Sequence, residues 1–135
     1  MDIFAFASFP VLVAWSVGLL IVHIMLQARF STHELGTRWN TGPRDSQRKP
    51  QGIFAGRAER ASRNFRETYP AFVGLALALA VADPSSLWGR AGALIWFAAR
   101  IFYIPLYLAG VPYIRSGVWC ISLAGLAIMF CSVLF

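Results

Sequence analysis

At 135 residues, with 58% apolar content and a mean hydropathy of +0.60, the chain is too apolar for an ordinary soluble domain. The net charge of +6 resides in residues 29–66, where nine Lys/Arg outnumber Glu34, Asp45 and Glu59, and the remainder of the chain balances. Basic character confined to one loop reads as a membrane-orientation signal and argues against nucleic acid as a partner.

The first predicted element is an apolar span over about residues 3–28, since no charge lies between Asp2 and Arg29. Twenty-six residues are ample for a hydrocarbon core of about 30 Å. The chain opens Met-Asp rather than with a basic region, and no small-residue cleavage site follows, so the span is expected to be retained. His23 lies on an apolar face with no second ligand in sequence and reads as a satisfied core or interfacial histidine. A polar segment, 30–53, follows, rich in Gly, Pro, Asn and Asp. The second span covers about 54–82. Asp83-Pro84-Ser85-Ser86 breaks it and offers a serine cap to the third, about 87–109. Gly110-Val111-Pro112 ends the third, and the fourth covers about 113–134. The expectation is a single all-α membrane domain of four spans. Loop 30–53 should be cytoplasmic, with both termini and the Asp83 turn on the other side. Trp88, Tyr113 and Trp119 fit an interfacial belt, and Trp96 is a packing residue at mid-span.

Cys120 and Cys131 both lie in the fourth span. Eleven residues separate them, roughly 16 Å along a helix, too far for a disulfide. They read as lipid-facing or packing thiols, and the chain has no metal-ligand spacing.

Two constellations carry chemistry. Arg60, Asn64 and Glu67 stand at i, i+4 and i+7 at the mouth of the second span, and the stripe continues as Ala71, Gly74, Ala78 and Ala82. Small residues at that spacing let membrane helices approach closely. A plain alternative is an Arg63–Glu67 pair on one helix, with Arg60 and Arg66 snorkelling to the interface. The third span carries Arg100, Tyr103 and Tyr107. Arg100 falls well inside the apolar length and needs a partner there; Glu67 is the nearest candidate by depth and side. That pair is either a structural bridge or part of a polar cavity with phenol donors on its wall. Pro105, between the tyrosines, is expected to kink the helix and free a carbonyl near Ile101.

The run R-A-S-R-N-F-R-E-T-Y-P, residues 60–70, resembles the signature of the MAPEG superfamily, which includes microsomal glutathione transferases, leukotriene C synthase and microsomal prostaglandin E synthase. The pattern R-x-x-x-N-x-x-E maps to Arg60, Asn64 and Glu67, and a second, R-x-x-Y-x-x-x-Y, to Arg100, Tyr103 and Tyr107. G-V-P-Y-I-R-S, residues 110–116, resembles the turn between the third and fourth spans of bacterial members, a resemblance that implies a bacterial inner membrane. The resemblance implies a homotrimer of four-helix protomers, with glutathione as co-substrate bound between neighbouring subunits near the cytosolic side. It carries Arg60, Arg63, Asn64, Glu67, Arg100, Tyr103 and Tyr107 over as glutathione-binding residues. It makes Arg29 and Arg115 the candidates for activating the thiol. Thr68 stands where some members have an aromatic residue.

The implied activity is a glutathione-dependent transferase or peroxidase whose lipophilic small-molecule substrate arrives through the membrane lipid. The alternative is a non-catalytic protein of the same plan, its polar cavity serving trimer packing or an anionic ligand. A small exporter is disfavoured, because the ionisable residues gather at one face and form no path across the membrane.

Overall fold

The computed structural model describes residues 7–135 and is all-helical over them. Helix α1 runs Phe9–Leu35, α2 Thr37–Thr41, α3 Ile53–Ala82, α4 Leu87–Ala109 and α5 Pro112–Leu134. The four long helices are each long and apolar enough to cross a membrane. Asp2 and the first apolar residues of the chain lie outside the described residues.

Each helix buries one stripe and exposes the rest. Along α1 the buried side chains are Phe9, Leu12, Ser16, Leu19 and His23, recurring every three or four residues. Trp15, Ile21, Ile24 and Met25, between those positions, are more than half exposed. In water such a surface would be a liability, but against acyl chains or a second subunit it is in its proper solvent. The core centres on Trp96. Its ring stacks on Phe72 at 3.9 Å and 9°, with Phe65 at 5.7 Å and Tyr69 at 6.3 Å. Tyr69 keeps its hydroxyl satisfied at Ser16 Oγ, 3.1 Å away, while that serine donates to the Val13 carbonyl.

Helices α4 and α5 approach more closely than side chains would allow. A Cβ on Gly92 would sit 2.6 Å from the Gly125 carbonyl oxygen, and one on Gly125 2.7 Å from the Gly92 oxygen. The turn between them needs Gly110, which holds a left-handed φ of +76°. Arg57 reaches across from α3 and donates to the Leu108 carbonyl at 2.9 Å. It thereby satisfies one of the orphan acceptors of the α4 C-terminus and places a cation against its negative end. At the other end of α4, Ser86 accepts from Gly89 N at 3.1 Å, as the serine cap expected there.

One expectation is corrected. The polar segment 30–53 is partly helical: α1 runs on to Leu35, and α2 follows directly after Gly36, whose φ of +88° makes the turn. The remainder is tied down by Glu34, whose carboxylate accepts from Gln51 N and from Gly52 N at 2.8 Å. Polar residues tolerate helix beyond a membrane edge, so the end of apolar sequence is not the end of the helix. Pro105 and Pro70 are exposed residues inside α4 and α3, which continue past them; lacking an N–H, Pro105 cannot donate to the Ile101 carbonyl one turn earlier.

Candidate functional site

Arg100 is the centre of the site. It is 1% exposed. Its Nη1 donates to Asn64 Oδ1 at 2.7 Å and its Nη2 to Thr68 Oγ1 at 2.7 Å. Asn64 and Thr68 are one helical turn apart on α3, so the planar guanidinium spans two rungs of one face. The faces of Trp96 and Tyr103 stand 5.9 and 5.5 Å from the guanidinium carbon and add cation–π attraction. Nε has no partner among the described residues.

The expected Arg100–Glu67 ion pair is not formed. Arg100 is held by two neutral oxygens, and Glu67 is exposed. The Arg63–Glu67 pair on α3 is likewise absent among the described residues. Neutral acceptors win because they lie at the depth of Arg100 on the buried flank of α3, whereas Glu67 points off that flank. The buried cation therefore has no carboxylate in direct contact, and Glu67 acts on it only at longer range.

From Arg100 the polar track continues toward α5. Tyr103 is buried, and its ring centroid lies 5.4 Å from that of Tyr107, tilted by 59°. Arg115, at the start of α5, sits over the Tyr107 ring at 4.6 Å. The fold thus joins Asn64, Arg100, Tyr103, Tyr107 and Arg115 across three helices. It leaves Arg60, Arg63 and Glu67 on the exposed face of α3 beside them. Arg60 folds back along its helix, its Nη1 3.2 Å from where a Cβ on Gly56 would be. Arg29 is not part of this cluster: it is exposed on α1, in a groove of about 750 Å³ that includes Ile21, Met25, Leu26 and His33.

Thr68 was visible in the sequence as a departure from an aromatic pattern and not as a partner for Arg100. Its position one turn beyond Asn64 was the available signal. Arg57 and Glu34 were unmarked in sequence, because their roles depend on backbone groups that only the fold brings near. His23 is in the core as expected, 2% exposed and 4.7 Å from the Phe65 ring, but its Nε2 finds no partner among the described residues.

A family model described as "MAPEG family" matches residues 12–135, nearly the whole chain. Neither the curated proteins nor the solved structures provide a match.

Proposed function

The chain belongs to the MAPEG family, and from that premise we propose that it is a glutathione-dependent membrane transferase or peroxidase acting on lipophilic electrophiles. The observation that carries the reading is the fixed amide of Asn64. With Oδ1 accepting from Arg100, the half-buried Asn64 keeps its Nδ2 group free of that bond and able to donate, beside a buried cation with no carboxylate in direct contact. Such a point receives an anion.

Glutathione matches the surrounding groups. Arg60 and Arg63 pair its carboxylates, Glu67 pairs its ammonium, and Asn64 and Tyr107 supply neutral hydrogen bonds. Arg100 is sealed from the surface and acts through Asn64. Tyr103, also buried, acts through Tyr107. The free thiol titrates near 8.5. Lowering that by two units takes about 2.7 kcal/mol of differential stabilisation, within reach of one arginine in a low-dielectric pocket. Arg115, steadied over Tyr107, is the first candidate for that task. Arg29 is the second, reaching the site from a neighbouring subunit. The thiolate sulfur then forms the C–S bond to the electrophilic carbon as the leaving group departs with its electron pair.

The reading requires a homotrimer with sites between subunits. The exposed stripe Glu67, Ala71 and Gly74 supports it, since Gly74 has nothing within 4 Å of a built Cβ. We place the protein in a bacterial inner membrane, with segment 30–53 cytoplasmic and both termini outside. A second reading rests on the sealing of Arg100: a cation wholly held by Asn64 and Thr68 also serves as a packing device between α3 and α4, with no catalysis. Calorimetry on the intact oligomer separates the two. Binding of glutathione at or below about 10 mM supports the enzyme, and no heat up to that concentration, equivalent to about −2.7 kcal/mol, leaves the packing role alone.

A further inference from the structure

A second polar pocket lies on the opposite side of α3. It has a volume of about 310 Å³ and is bounded by Gln27 and Ser31 of α1, Trp39 of α2, Arg44 just beyond it, and Ser62 and Arg66 of α3. Ser62 is about 160° around the helix from both Arg60 and Asn64, so this pocket is distinct from the site above. Among the described residues no carboxylate lines it.

Its walls are rich in unused donors. Ser62 is 1% exposed and its Oγ has no partner among the described residues; the same holds for the buried Trp39 Nε1. An indole N–H can only donate, so it stays unsatisfied until an acceptor arrives. Arg44 is held in advance: its Nη2 donates to Asn40 O at 3.2 Å and to Asn40 Oδ1 at 2.7 Å, and its guanidinium stacks 4.5 Å from the Trp39 ring. Arg66 is tethered by a long bond from Nε to the Ser62 carbonyl, 3.4 Å, which leaves its terminal nitrogens unassigned. Two guanidinium groups, an indole N–H, a hydroxyl and the Gln27 amide surround one small volume. They suit a group offering several acceptor oxygens in different directions and carrying negative charge.

We propose that this pocket is a phosphate-binding site within each protomer. A phosphate satisfies donors arriving from three helices better than a flat carboxylate does. The position favours the phosphodiester of an anionic phospholipid as its source: the pocket lies where α1 and α3 leave their apolar lengths, and the apolar Ile24 on its rim is 51% exposed. A soluble phosphate would meet the same donors.

The test is native mass spectrometry on the detergent-released protein supplied with phosphatidylglycerol or phosphatidylcholine, together with competition by inorganic phosphate. One phosphatidylglycerol per protomer should be retained in preference to phosphatidylcholine. Retention should weaken about tenfold in Arg66→Gln, which loses one charge-assisted contact, and in Ser62→Val, which fills the pocket. Arg38→Gln, an exposed α2 residue outside the pocket, removes the same charge and should change nothing. Retention that resists millimolar phosphate assigns the site to lipid; displacement by phosphate, or phosphate binding without lipid preference, assigns it to a soluble phosphate. Arg66 is exposed, so its variant tests the site even if Ser62→Val fails to fold. Equal retention of both lipids without phosphate binding overturns the proposal, as does equal loss in Arg38→Gln and Arg66→Gln.

Discussion

Arg100 spends its hydrogen bonds on Asn64 and Thr68 and none on a carboxylate, and that choice decides how it should respond to substitution. Thr68→Val leaves one arm of a buried guanidinium without an acceptor and should cost about 1.5–3 kcal/mol of stability. In double-mutant cycles, Arg100 and Thr68 should couple by at least about 0.5 kcal/mol, while Arg100 and Glu67 should add within about 0.5 kcal/mol. Strong coupling of the second pair would restore the ion pair that the structure lacks. Arg100→Met removes the buried charge but leaves Asn64 Oδ1 and Thr68 Oγ1 without their donor, and should cost about 1–3 kcal/mol of stability. It also frees the Asn64 amide to rotate. Glutathione affinity should then fall about tenfold in calorimetry run below the variant's melting transition. Arg115→Gln should behave differently: binding largely kept, with the bound thiolate, followed by its ultraviolet absorbance, appearing only at higher pH.

At the scale of the helix pair, α4 and α5 depend on two glycines that face each other. Alanine at position 125 would place a methyl 2.7 Å from the Gly92 carbonyl oxygen and 2.8 Å from Trp96 N. Both are backbone atoms and neither can rotate away, so the helices must separate. We expect Gly125→Ala to cost about 1–3 kcal/mol, and to loosen the Arg115–Tyr107 stack, since those residues sit on the same two helices. A melting temperature unchanged from the parent would contradict the contact. The α3–α4 pair is fixed at its end by Arg57 on the Leu108 carbonyl.

At the scale of the whole molecule, the face that carries Glu67, Ala71 and Gly74 is exposed among the described residues. Gly74→Ala should be harmless to the isolated fold, because the space around it is open. Gly74→Leu should overpack a contact between subunits and disperse the oligomer while leaving helix content intact. Size-exclusion chromatography with light scattering in mild detergent checks this, and a stable monomer of the unmodified protein would remove the trimer. Orientation is a separate matter of charge: if the nine bases of segment 29–66 keep it cytoplasmic, as proposed, a reporter fused at Phe135 should be active outside the cytoplasm.

The sequence by itself determined the four-helix membrane class, because apolar runs of span length separated by Gly, Pro and charge leave few other folds open. It also determined the family, because R-x-x-x-N-x-x-E and R-x-x-Y-x-x-x-Y are local patterns that survive reading along one strand of text. It marked Asn64, Arg100, Tyr103 and Tyr107 for the same reason. Only the tertiary structure decided who holds whom. Arg100 needed an acceptor at its own depth on a facing helix, and depth plus rotation about α3 chose Asn64 and Thr68 over the better charge match, Glu67. The close approach of Gly92 to Gly125, the Arg57 bond to a backbone carbonyl and the Glu34 clamp on the start of α3 were unreadable in advance. Each depends on backbone atoms, which every residue carries alike, so no side-chain pattern announces them.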